Sequence, residues 1–309
     1  MNAMLRTAIS LAVACAACLS QESRIIRPTL GYVHDAKRRV IRPIWGTPGA
    51  ATTGEPLAGL GDIVSAMIAH QRGYAIATLA EQAELRLITL DESNAVQTLP
   101  IPSAISVLAL SPDQRSAALV ARDDRRLYVL TGLPQAPAIA WTSESTPVVQ
   151  NLAIADDGET LLASGSGSVF LVTRAGISTI RQMDPAPVLA FLPGARGAVV
   201  AGDRLWMVGS AGTEWSPIAV AASAQASQLG VTPDGREIVV VGSDQITVIA
   251  LEDQSVRRIQ CECAPETLEL HQPGSIFRLT RLNAGPLWFM DASTGKEPRL
   301  WFVPVQLDE

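Results

Sequence analysis

Ser111-Pro112-Asp113-Gln114-Arg115-Ser116-Ala117-Ala118-Leu119-Val120-Ala121-Arg122-Asp123-Asp124-Arg125-Arg126-Leu127-Tyr128-Val129-Leu130 holds the unit from which the chain is built. Pro112 presets φ at the first central position of a tight turn, and Asp113 tolerates the next. Ala117-Ala118-Leu119-Val120 then reads as a strand, Asp123-Asp124-Arg125 as a second turn, and Tyr128-Val129-Leu130 as a further strand. A short apolar segment, Ile105 to Leu110, precedes the first turn.

The same order recurs along the chain. Runs of a bulky residue followed by apolar ones occur at Tyr32-Val33-His34, Arg86-Leu87-Ile88, Tyr128-Val129-Leu130, Phe170-Leu171-Val172, Trp206-Met207-Val208, Thr247-Val248-Ile249 and Trp288-Phe289-Met290. Their first residues are 54, 42, 42, 36, 41 and 41 positions apart. Equivalent turns fall at Asp156-Asp157-Gly158, Pro193-Gly194, Thr232-Pro233-Asp234-Gly235 and Gln272-Pro273-Gly274. Four short strands joined by tight turns, repeated every 40 or so residues, are the blades of a β-propeller.

Strand chemistry follows from radial position. Inner strands are continuously apolar, as in Ile238-Val239-Val240-Val241, because neighbouring blades cover both faces. Outer strands alternate, as in Arg126-Leu127-Tyr128-Val129, and Trp45, Trp141, Trp215 and Trp301 are expected on outermost strands. Seven central runs accompany only six complete blades. Residues 24–45 read as strands two, three and four of a blade lacking its innermost strand. The tail Val303-Pro304-Val305-Gln306-Leu307 is expected to supply that strand, closing a seven-bladed ring and removing its open edges. Six blades with an appended N-terminal hairpin are the alternative.

Ser111-Pro112-Asp113 and Thr232-Pro233-Asp234-Gly235, each before an apolar strand, resemble the WD40-like repeats of bacterial TolB-type propellers. Asp291-Ala292-Ser293-Thr294-Gly295-Lys296 after Trp288-Phe289-Met290 is similar to the outer hairpin of YVTN-type repeats. The likeness spans nearly the whole chain after its N-terminus. It implies an all-β propeller and a binding role, and it carries over no catalytic residue.

Residues 1–20 are expected to be a signal peptide, and residues 24–309 a single propeller domain. Arg6 is followed by an apolar stretch from Thr7 to Leu19, with Ala14-Cys15-Ala16 as a small-x-small cleavage site. The stretch is shorter than the roughly 20 residues that span a bilayer. The expected location is therefore periplasmic or extracellular, with lipidation at Cys18 the alternative to soluble export. Hydrophobic residues make up 48% of the chain and charged residues 17%, which suits a large core. A net charge of −6 gives no footprint for nucleic acid.

Turns between second and third strands gather charge at one mouth of the ring: Glu81, Glu84, Asp123, Asp124, Arg125, Asp203, Arg204 and Asp244. Converging loops form a natural binding face, although turns also need polar residues for their own sake. His70-Gln71 and His271-Gln272 occupy equivalent turns at the opposite mouth and are read as repeated turn residues, with no metal site assigned. Cys261 and Cys263 are candidates for a disulfide, because two thiols of an exported chain tend to pair. No Gly-x-Ser-x-Gly elbow and no His-Glu-x-x-His motif occurs, and no cofactor is expected. The expected function is a non-catalytic exported scaffold that binds a protein or envelope component through one ring face. The alternative is a propeller hydrolase or lactonase with a divalent metal in the central channel, which requires clustered acids and a histidine on one mouth.

Overall fold

The computed structural model describes residues 28–305, apart from 92, 145–146, 210–211, 219–225, 244, 272–273 and 283–284. The proposed signal segment, Cys18 and Asp244 therefore lie outside the described residues. Seven antiparallel sheets follow one another in chain order, at residues 29–53, 63–102, 105–143, 151–182, 188–217, 228–260 and 269–303. We call them blades one to seven. Six have four strands, paired in sequence order, and blade one has three. Among the described residues no helix is long and apolar enough to cross a membrane.

Apolar packing between blades holds the ring. Seven clusters of buried side chains each bridge two successive blades, and one of them joins blade seven to blade one through Ile276, Phe289 and Val303 against Leu30, Val33 and Ile44. Second strands are the deepest: Ala117–Ala121, Leu161–Gly165, Ala198–Ala201 and Glu237–Val241 are buried at every position. Their small or β-branched residues let two sheets approach on both faces, and each large aliphatic side chain so covered contributes about 1.5–3 kcal/mol. Third strands are more buried than their alternation implies, and Leu127–Leu130 is covered throughout. Trp141, Trp215 and Trp301 lie on fourth strands as expected, whereas Trp45 lies on the middle strand of blade one.

The Ser/Thr-Pro-Asp signature is explained by turn closure. Ser111 Oγ donates to Asp113 Oδ1 at 2.8 Å, and the same carboxylate oxygen accepts from the Arg115 N–H at 3.0 Å. Thr232, Asp234 and Arg236 repeat the arrangement at 2.6 and 3.1 Å. These turns then bond to one another around the ring. Gln71 N–H donates to Gln114 Oε1 (2.8 Å), Asp113 N–H to Asp156 Oδ1 (2.8 Å), and Gly194 N–H to Asp156 Oδ2 (2.7 Å). Arg196 continues to the Asp234 carbonyl (3.0 Å), and Thr294 donates to Asp234 Oδ2 (2.7 Å). A polar belt thus runs without a break from blade two to blade seven.

Blade one interrupts it. Tyr32 Oη donates to the Leu90 carbonyl at the belt face, and His34 Nε2 lies 2.9 Å from the Ile63 carbonyl at the opposite face. Thr29–Asp35 therefore runs in the direction of a second strand, and Tyr32-Val33-His34 stands one place further in than the central run assigned from sequence. Among the described residues blade one holds positions two to four and has no strand at position one. The tail does not take that place within the described residues: Val303 pairs with Leu287 in blade seven, and Pro304 and Val305 belong to no strand. Gln306 and Leu307 lie outside the described residues.

Asp156 joins three blades with two charge-assisted bonds. Asp156→Ala is expected to lower stability in urea unfolding by about 2 kcal/mol, and Asp156→Asn by less.

Candidate functional site

Among the described residues, four places of the ring bear on function. The central channel is a cavity of about 300 Å³ lined by the first strands of blades two to seven. Its wall is aliphatic, with Met67, Leu110, Leu152, Leu229 and Leu270, and Glu269 is the only ionisable side chain among its described lining residues. Among the described lining residues no second carboxylate joins Glu269 at this channel.

The belt face carries the turns just described. Its polar groups bond to each other, and Asp156 shows the cost of that closeness. Burial, together with the Asp113 carboxylate, raises its pKa above the ordinary value, although two backbone N–H groups favour the charged form.

The opposite face carries the residues singled out in sequence. Glu84, Asp124 and Asp203 lie in ion pairs with Arg86, Arg126 and Arg204, their neighbours in sequence, at 3.9, 3.8 and 3.6 Å. Asp123, Glu81 and Arg125 stand in exposed turns of the same face. Blade one adds Arg39, which pairs with Asp62 at 3.3 Å. The face is therefore mixed in charge, with acids and arginines interleaved. The sequence reading missed its aromatic element. Arg181 Cζ lies 3.8 Å from the Trp206 ring and 4.8 Å from Trp215, and Trp206 Nε1 donates to Asp203 Oδ1 at 3.3 Å. That bond, with help from the nearby arginines, lowers the Asp203 pKa.

The fourth place is the seam at blade one. His70 closes the first strand of blade two, and His271 ends that of blade seven. Without an innermost strand between them, the two imidazoles stack with centroids 3.6 Å apart and planes 29° from parallel. Phe289 meets His271 edge-on at 5.2 Å. Gly31 passes directly beneath: a Cβ there would lie 2.6 Å from His271 Nδ1 and 3.0 Å from His70 Nδ1. Glu269 completes the group, bonded to Arg278 at 2.6 Å. Burial lowers the His70 pKa to about 3, and burial with the charges of His70 and Arg278 lowers that of His271 well below its usual value. Desolvation raises the Glu269 pKa, but Arg278 outweighs it and the net shift is downward. These histidines are not the independent turn residues read from sequence. The available signal was Glu269-Leu270-His271, in which alternation puts acid and imidazole on one side of the strand.

Cys261 and Cys263 are bridged, with Cα atoms 5.1 Å apart, and pack against blade seven.

No family model matches the chain, and no curated protein does. Solved structures with the same architecture are numerous. A functionally unknown protein from Desulfotomaculum acetoxidans matches with a TM-score of 0.61 at 13% identity, over 89% of this chain and 95% of that one. The β-propeller domain of Cps50 (Swd1) from Myceliophteria thermophila matches at 0.57 and 12% identity, over 77% and 88%. TolB from Acinetobacter baumannii matches at 0.50 and 12% identity, over 71% and 59%. The chain is a seven-bladed β-propeller, and its likeness to WD40 and TolB propellers is one of fold.

The seam makes stability depend on pH. Both imidazoles titrate below the value of about 6.5 they have when unfolded, so the folded state stays neutral while the unfolded state takes up protons. Their stabilisation is complete above that value and is lost as pH falls toward 3. At pH 5 the loss from His70 is about 2 kcal/mol, and His271 acts in the same direction. The groups facing the pair are Glu269 and Arg278, which bond each other, and Arg278 holds the Glu269 carboxyl below its ordinary value. The melting temperature is expected to fall between pH 7 and pH 5, and His70→Gln to flatten the fall. Gly31→Ala is expected to cost about 1–3 kcal/mol in the same assay, because its methyl would drive into both rings.

Proposed function

We propose that this chain is a non-catalytic, exported scaffold that binds a protein or envelope component through the face opposite the polar belt. The carrying observation is the different employment of charge on the two faces. On the belt face, carboxylates and backbone N–H groups satisfy one another between blades and hold the ring. On the other face, ion pairs join partners about half exposed, such as Arg204 with Asp203 and Arg126 with Asp124. Exposed pairs of this kind contribute only about 0–1 kcal/mol, so a partner can displace them at little cost.

Trp206, half-buried between Arg181 and Arg204, adds the kind of anchor that dominates binding interfaces. Asp123, Asp124, Arg125 and Glu81 would then form its polar rim. TolB is itself a propeller, and the shared fold supports a binding role without specifying the partner. The N-terminal apolar stretch supports export, with Cys18 as an anchor if it is lipidated.

Photo-crosslinking residues placed at Arg204 and at Asp124 are expected to capture the same partner in cells. A residue at Arg115, on the belt face, is expected to capture none. Capture from Arg115 alone would move the partner to the other face and overturn the proposal.

A further inference from the structure

We propose that His70, His271 and Glu269 bind one divalent transition-metal ion of the zinc class, which clasps blade two to blade seven where blade one lacks its innermost strand. The ligand atoms of the three side chains all lie within 4.8 Å of one another. Donors at about 2.0–2.2 Å from zinc stand roughly 3.3–3.6 Å apart at tetrahedral angles. Rotation of the side chains by about an ångström brings the set to that geometry. Two imidazoles and one carboxylate suit a borderline ion and do not suit calcium or magnesium, which take oxygen ligands.

The second observation is an unmet need for a partner. His70 is 8% exposed and His271 0%. Among the described residues neither nitrogen of His70 has a hydrogen-bond partner, and the Leu30 backbone is the one group that hydrogen-bonds His271. Buried polar atoms without partners cost about 1–3 kcal/mol each. Stacked neutral rings do not recover that cost, whereas coordination satisfies one nitrogen on each ring.

Glu269 is already held as a metal carboxylate usually is. Its Oε2 bonds Arg278 at 2.6 Å, which fixes the headgroup, while Oε1 has only a 3.3 Å contact with the Thr267 hydroxyl. The side chain is 38% exposed and lines the central channel. It therefore gives the ion a way in and leaves the fourth position to water. Phe289 and Gly31 close the dry side. The position explains the role: the belt stops on either side of blade one, and the ion would join its two ends.

The test uses the full chain without a histidine tag, stripped with a chelator and titrated with Zn²⁺ or Co²⁺. The expected result is one ion per chain, a Co²⁺ visible spectrum of a four-coordinate nitrogen and oxygen site, and a melting temperature raised by roughly 5 °C at a hundredfold excess over Kd. His70→Gln and His271→Gln should each abolish the spectrum. Glu269→Gln keeps a hydrogen-bond acceptor for Arg278 and the fold, and should weaken binding at least tenfold. A wild-type chain that takes up no stoichiometric ion overturns the proposal. So does a folded Glu269→Gln or His70→Gln chain that binds as tightly as wild type with the same spectrum.

Discussion

A ring of sheets exists only if its last interface forms, and here that interface is made at a blade with three strands among the described residues. Each blade buries its second strand between two neighbours, so any blade left without one neighbour would expose a sheet face of Val, Leu and Ile. Blade one fills the gap with three strands, but at the channel wall it contributes nothing. Blades two and seven meet there directly, imidazole on imidazole. Gly31 lets them do so, since any larger residue would occupy the space beneath both rings. The absence of one strand and the contact of the two histidines are thus one structural fact.

How much of this could be read in the sequence follows from the range of each interaction. Turn chemistry is local. The hydroxyl, proline and carboxylate of Ser111-Pro112-Asp113 lie within three residues and recur at Thr232-Pro233-Asp234, and the seven apolar runs between such turns revealed the period and the blade count. The missing innermost strand was legible too, as a deficit in the count. Its filling was not, because nothing local in Val303-Pro304-Val305 distinguishes the end of one blade from the beginning of another. Register slipped for the same reason: Tyr32-Val33-His34 has the pattern of a central run, and only its direction, from Leu90 to Ile63, places it one strand further in.

The candidate sites divide in the same manner. Charged turns of both signs at one mouth were evident from spacing, but which carboxylate meets which guanidinium was not. The proximity of His70 and His271 depends on residues 201 positions apart and on a strand that is not there. Equivalent positions in a seven-fold ring are ordinarily separated by the channel or by an intervening blade. Symmetry therefore argued against contact, and the exception arises from the one position at which the repeat is incomplete.

The two faces differ because the two kinds of turn do different work. A turn between first and second strands sits close to the channel axis, where neighbouring blades converge and one carboxylate can reach two others. Asp156 does this, accepting from blade three and blade five while its own backbone belongs to blade four. At the opposite face three of the acids find their partners in nearby sequence: Glu84 with Arg86, Asp124 with Arg126, and Asp203 with Arg204. Groups committed between blades cannot rearrange for a ligand without loosening the ring. Groups paired within one turn can, because breaking such a pair leaves every blade interface intact. Commitment between blades and freedom to rearrange are thereby divided between opposite ends of the same strands.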